Sequence, residues 1–260
     1  MDFTSLPKDL YLNPSLEVQS TYIFVGDLMG IGHKEPYLGN NLKDFIKGSD
    51  YFVANLECLI NEKSQLNLIY QVSSEKCISK LKSYLPNTKF LFSVANNHSL
   101  DEGIKGLHST IEKLEALDIS AFGTQDQPSL ENIYSATQWC RGNSVLRTLD
   151  DKVADTKIGF YHWGREFYRF IDKDLIHFVN QTPHDIILGH HPHIIHTPCF
   201  VEGKYLFSSL GNFWVSYGGR RVNRGLVVKV LMSGDEMVSI HWQKIKTTSS
   251  SSSVTVEIES

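Results

Sequence analysis

With 260 residues, 41% hydrophobic and 21% charged, the chain is composed like an ordinary globular protein and can bury a sizeable core as a single domain. A net charge of −4 gives a nucleic-acid partner no electrostatic support. No uninterrupted apolar stretch approaches the roughly 20 residues needed to span a bilayer.

Residues 1–20 are polar, carry Pro7 and Pro14, and read as an irregular lead-in. They lack the basic and apolar regions of a signal peptide, so a cytoplasmic protein is expected. Tyr22–Val25 then forms an apolar run that stops at Gly26-Asp27, which predicts a buried strand ending in an acid. Met29–Asn41, with three glycines, Pro36 and His33, reads as loop. A short helix over Leu42–Lys47 precedes a strand at Tyr51–Ala54, which ends in Asn55-Leu56-Glu57. Residues 61–75 read as loop, and a helix over Cys77–Tyr84 is stopped by Pro86.

Phe90–Ala95 is a strand ending in Asn96-Asn97-His98. Beyond it Ile104, Leu107, Ile111, Leu114 and Leu117 recur at helical spacing. Ile119–Phe122 closes a strand–helix–strand unit of the parallel-sheet kind. Residues 123–156 carry little pattern. Lys157–Tyr161 resumes the strands and stops at His162-Trp163-Gly164, and a helix over Lys173–Val179 follows.

The next stretch organises the chain: Asp185-Ile-Ile-Leu-Gly-His-His-Pro-His193. Ile186–Leu188 reads as a buried strand, broken by Gly189. In an extended chain His191 and His193 would point the same way, and Pro192 favours that conformation. Lys204–Leu210 is a further strand, ending in Gly211-Asn212-Phe213. A hairpin turning at Ser233-Gly234-Asp235 closes a single domain over residues 21–246. Residues 247–260 read as a Ser-rich flexible tail in which Val254–Ile258 alternates.

Five strand ends thus carry candidate ligands: Asp27, Glu57, Asn97 with His98, His162, and His191 with His193. In an open α/β sheet the C-terminal ends of parallel strands share one edge. Carboxylates, a carboxamide and imidazoles form a donor set that fits Mn, Fe, Zn or Co, and a carboxylate can bridge two cations. Each residue also has a plainer reading. Asp27 could cap a segment, Glu57 could pair with an arginine, Asn97 could shape a turn, and His162 beside Trp163 could be a satisfied core histidine. The four cysteines, Cys58, Cys77, Cys140 and Cys199, read as free thiols, with one disulfide left open. The basic residues Arg220, Arg221 and Arg224 edge a loop or contact an anionic substrate.

Gly26-Asp27, Asn55-Leu-Glu57, Ala95-Asn-Asn-His98, His162-Trp-Gly-Arg-Glu166, Gly189-His-His-Pro-His193 and Ser209-Leu-Gly-Asn-Phe213 occur in this order. Together they resemble the CapA family of bacterial capsule (poly-γ-glutamate) synthesis proteins, a branch of the calcineurin-like metallophosphoesterases. The resemblance covers residues 20–240. It implies an α/β fold, a layered α/β/β/α sandwich of metallophosphoesterase type with two divalent metal ions at one end. It also implies that Asp27 and His193 hold one metal, that Glu57 bridges, and that Asn97, His162 and His191 hold the other. By the same resemblance His98 is a general acid, with Asp101 as its orienting partner. The sequence departs from the pattern at Met29, where the superfamily has a histidine, with His33 of the next loop as the candidate replacement, and at Ser208, where a tyrosine is usual.

The implied activity is metal-dependent hydrolysis of a phosphoester or amide on a small-molecule, peptide or polymer substrate. Two alternatives stand beside it: peptide or amino-acid epimerisation or amide transfer on the same site, and a non-catalytic accessory role in polyglutamate or polysaccharide synthesis. A second acid/base facing His98 would separate epimerisation from hydrolysis, and His33, His190 and Glu166 are the candidates. Trp163, Trp214 and Phe213 either line a pocket or fill the core.

Overall fold

The computed structural model describes residues 3–62, 71–139, 145–149, 151–217, 219 and 221–259. Two sheets face each other. In the larger, Ser20–Met29, Tyr51–Glu57, Lys89–Ser93 and Ile119–Phe122 run parallel as successive neighbours. Antiparallel Arg224–Ser233 and Glu236–Ser249 extend it on the other side of Ser20–Met29. In the smaller sheet Ile133–Thr137, Ile158–His162, Ile186–His190 and Lys204–Phe207 are parallel neighbours.

The apolar runs are continuous rather than alternating because both faces of these strands are covered. Along Ser20–Met29, Tyr22 and Phe24 turn to the core between the sheets, where they meet Phe160, Leu188 and Phe207 of the smaller sheet. Ile23 and Val25 turn to the opposite face, under Leu42 and Ile46 of the helix Asn40–Ile46 and Ile78 and Leu81 of the helix Glu75–Ser83. The helix Gly103–Ala116 adds Leu114 to that layer. Outside the smaller sheet, Leu175, Ile176 and Val179 of the helix Lys173–Gln181 pack on Tyr161 and Ile187. The order of layers is α/β/β/α, as the resemblance implies.

Several expectations are corrected. The serine-rich segment is not a free tail: Ser253–Ile258 pairs antiparallel with Glu236–Ser249 and parallel with Glu35–Leu38. Val254 and Val256 are fully buried, since a period of two puts them on one face. The preceding serines masked that signal. The partner strand Glu35–Leu38 lies in the stretch read as loop, and the 246 boundary falls inside a strand.

The lead-in is not irregular throughout, because Thr4–Ser5 pairs with Cys199–Val201 and Asp9–Tyr11 with Glu236–Ser249, one in each sheet. The organising strand also runs through Gly189 to His190. A Cβ on Gly189 would lie 2.3 Å from Ser208 O and from Trp163 Nε1, so this glycine permits a close approach rather than a break. Cys58, Cys77 and Cys199 are free thiols, while Cys140 and Arg220 lie outside the described residues. No described helix is long and apolar enough to cross a membrane.

Candidate metal centre

The strand registers bring the predicted ligands together. Asp27 and Glu57 end adjacent parallel strands, with Asp27 opposite Asn55 and Met29 opposite Glu57. His162 and His190 are direct partners at the ends of two strands of the facing sheet. Asp27 sits where the strand is irregular, next to Gly26, whose Cβ would lie 1.8 Å from Gly211 O. A side chain there would drive apart the two strands that frame the acid.

His191 and His193 reach the cluster by a route that differs from the expected extended one. Their φ angles are 98° and 57°, in a region costly for residues with a Cβ and, at His191, opposed by the following proline. The His191 N–H donates to Asp27 Oδ2 at 3.1 Å, so the acid itself helps to hold the turn.

Asp27, His162 and His190 form one buried group of convergent donor atoms, and Glu57, His191 and His193 a second, each within 4.8 Å. Glu57 Oε1 lies 3.7 Å from both His162 Nε2 and His193 Nε2, between the two groups. Asn97 Oδ1 stands 2.6 Å from His162 Nε2. His193 Nδ1 faces two acceptors, Asn212 Oδ1 at 3.0 Å and Asp27 Oδ2 at 3.2 Å. It therefore carries the proton on Nδ1, which leaves Nε2 as the donor atom for a cation.

Electrostatics separate the two acids. Burial alone would raise the Asp27 carboxyl, but the hydrogen bond and charge of His193, with the charge of His190, outweigh it and hold Asp27 below the usual range. Glu57 is driven well above its ordinary value by burial and then by the Asp27 charge. Burial pulls His190 down to about 4 and His191 to about 3, and pushes His162 well below its usual value. These three imidazoles are neutral at pH 7, the form that binds metal.

Glu57 Oε1, His190 Nε2 and His191 Nδ1 are buried with no hydrogen-bond partner. Such atoms are rare in folded proteins, because each costs the loss of its hydration. Their convergence in one cluster is what a cation site requires, so the residues present fit a divalent metal.

Comparison with known proteins agrees with the geometry. The family described as bacterial capsule synthesis protein PGA_cap matches residues 21–146 and 141–217. The chain belongs to this family. It is 25% identical to the PGA biosynthesis protein CapA of Bacillus subtilis (strain 168), over 79% of this chain and 66% of that protein. It is 24% identical to the capsule biosynthesis protein CapA of Bacillus anthracis, over 80% of this chain and 63% of that protein. The chain thus spans slightly less than two thirds of the length of these curated relatives.

In this PGA_cap chain the cluster opens into a cavity of ≈ 500 Å³ lined by His98, Glu166, Phe167, His193, Asn212 and Tyr217, among others. His98 Nδ1 is 2.8 Å from Asp101 Oδ2, and both side chains are mostly buried. Asp101 lies outside the helix that begins at Gly103, so it serves His98 and not the helix end. His33 is not brought to the cluster; its side chain is 56% exposed, 3.9 Å from Glu62. Trp163, Trp214 and Phe213 are fully buried core residues.

Sequence reasoning gave three residues of the site no place among the ligands. His190, a candidate second acid/base, places Nδ1 2.8 Å from His162 Nδ1 and 3.5 Å from Asp27 Oδ1. Asn55 donates to Asp27 Oδ1 at 2.8 Å, and Asn96 donates to Asn55 Oδ1 at 3.1 Å. Asn96 Oδ1 also accepts the His98 N–H at 3.0 Å, linking the acid of one strand to the histidine beyond another. The period of two, which puts Asn55 and Glu57 on one face, was the available signal for Asn55.

Proposed function

We propose that this protein is a metal-dependent hydrolase of a phosphoester or amide, with two divalent cations held by Asp27, Glu57, Asn97, His162, His191 and His193. The reading rests on the buried Glu57 Oε1, His190 Nε2 and His191 Nδ1, unpartnered among the described residues, in a cluster whose His193 lines the same cavity as His98. Mn, Fe, Zn and Co suit this donor set. Bound there, the cations would acidify a water and offset the charge that develops on the group under attack.

The protein's own residues supply the rest. Asn55 fixes one oxygen of Asp27, and the His191 N–H fixes the other, so the acid is preorganised. Glu57, midway between His162 and His193, is placed to serve both cations. Asp101 accepts from His98 Nδ1–H, which directs the opposite nitrogen, Nε2, to give a proton to the leaving group.

A second reading, metal-dependent epimerisation or amide transfer, is favoured by one observation. Of the three candidates for a second acid/base, Glu166 lines the same cavity as His98, whereas His33 is exposed beside Glu62 and His190 is fully buried within the cluster. A role in capsule polymer synthesis follows from the names of the relatives and is part of the proposal.

Elemental analysis of chelator-free protein, beside a Glu57→Ala, His191→Ala variant, tests the leading reading. About two Mn, Fe, Zn or Co per chain, lost in the variant, is the expected result. Failure to take up metal on reconstitution would sink both enzymatic readings and leave an accessory protein.

A further inference from the structure

The wall of the metal-centre cavity includes a hydroxyl whose direction is set by a buried amide. Gln71 is fully buried, and its Oε1 accepts the Gly30 N–H at 3.2 Å. A backbone N–H can only donate, so this bond fixes which end of the amide is oxygen. The nitrogen end, Nε2, then donates to Tyr217 Oη at 2.9 Å. The phenol oxygen accepts there, and its own hydrogen must point elsewhere. Tyr217 Oη has no other hydrogen-bond partner among the described residues, and its side chain lines the cavity.

The support for this pair is local. Gly30 directly follows Met29, the last residue of the strand that carries Asp27. A Cβ on Gly30 would lie 2.5 Å from Val72 N, so glycine is what lets the backbone beside Gln71 come this close. Trp214 and Ser216 bind the same segment, Nε1 to Met29 O at 2.9 Å and Oγ to Gly30 O at 3.1 Å. Residues 29–30 therefore hold both Gln71 and the stretch leading to Tyr217 against the strand that supplies a candidate ligand.

Other side chains of the described lining leave this donor without a rival. Met29 has no N–H or O–H, and the Glu166 carboxylate only accepts. Asn212 is tied at both ends, with Oδ1 on His193 Nδ1 at 3.0 Å and Nδ2 donating to Val222 O at 2.7 Å. His98 already faces the leaving group.

We propose that Tyr217 donates its phenolic hydrogen to an oxygen of the group under attack at the metal centre, and that Gln71 turns that hydrogen toward the cavity. The assignment rests on the hydrolase reading for the identity of that group. No proton is transferred; the hydrogen bond strengthens as negative charge grows on the oxygen. Burial raises the phenol above its ordinary value, so Tyr217 keeps its proton at neutral pH and remains a donor.

Orthophosphate stands for the tetrahedral oxyanion, and titration calorimetry of the full chain, before and after reconstitution with Mn, reads its binding without turnover. Tyr217→Phe removes only the hydroxyl and should weaken phosphate binding about tenfold, as for one hydrogen bond to a charged group, with melting temperature and metal content unchanged. A monofluorinated tyrosine at the same position is a more acidic phenol and a stronger donor. It should tighten binding below neutral pH, where it stays protonated, whereas a hydroxyl with a purely structural role would not respond. Gln71→Met should lose part of the same affinity and add nothing to Tyr217→Phe, and an additive loss would remove Gln71 from the assignment. Equal phosphate affinity in wild type and Tyr217→Phe, or no phosphate binding by the wild type in either form, would overturn the donor. Metal uptake with phosphate binding indifferent to Tyr217→Phe keeps the hydrolase reading and loses the donor. A protein that takes up no metal yet binds phosphate through Tyr217 does the reverse.

Discussion

The candidate metal centre and the cavity lined by Arg169, Arg221 and Lys244 are built on opposite principles. In the first, Asp27, Glu57, His162 and His190 are wholly buried, and their charges are settled by burial and by each other. In the second, Arg169, Arg221 and Lys244 are exposed and have no ion-pair partner among the described residues. Dry groups interact strongly and are costly to leave unmatched, whereas wet ones interact weakly and remain available.

The largest effect is expected from breaking the dry network. Asp27→Ala would strand the buried His193 without its acid, and loss of one partner from a buried ionic pair typically costs about 3–5 kcal/mol. Denaturant unfolding of the metal-free protein measures it, and a loss under 1 kcal/mol would mean that the cluster contributes little to stability. Metal removal comes next. If cations occupy the centre at about 1,000 times Kd, stripping them should lower stability by about 4 kcal/mol, and a melting temperature unmoved by chelator would contradict this.

Catalysis should separate the residues that touch substrate from those that orient them. His98→Gln should lower kcat by about 10²–10⁴-fold with metal content unchanged. Asp101→Asn should give a smaller loss and shift the pH profile, since it alters only the His98 partner. An equal loss of metal in either variant would instead assign them to the cluster.

A buried histidine outside the centre tests burial on its own. His184 meets Tyr161 Oη at 2.7 Å and Thr156 O at 2.7 Å, and burial pulls it down to about 4. Unfolded, it would titrate near its ordinary 6.5. Between those values the unfolded chain carries the extra proton, so the stability due to this group is complete above pH 6.5, falls as pH drops, and levels off below about 4. The loss amounts to about 3 kcal/mol, and a wild-type pH–stability curve no steeper than that of His184→Gln would refute it. The smallest effect belongs to the wet cavity, where Arg221→Ala should leave the melting temperature within experimental scatter.

Much of the fold was legible because burial on both faces writes itself as apolar runs. The strands beginning at Tyr22, Tyr51 and Phe90, the helix carrying Leu107 and Leu114, and the hairpin turning at Gly234 could be read directly, with ends shifted by a few residues. The edge strands Glu35–Leu38 and Ser253–Ile258 escaped because proline and serine dominate their neighbourhoods and pairing supplies their order. At the site, all six proposed ligands come together, but the reason given for His191 and His193 differs from the strained turn that carries them.

The sequence by itself determined the layered α/β/β/α class, the strand ends at which acids and histidines fall, and membership of the PGA_cap family. Those features depend on local pattern and order along the chain. Tertiary structure alone decided that His190 joins the cluster, that His33 does not, that Trp163 and Trp214 are core, and that Glu166 and Arg169 face different cavities. Each of these depends on register between strands distant in sequence and on which side of a turn a residue emerges, and neither is encoded in the spacing of neighbours.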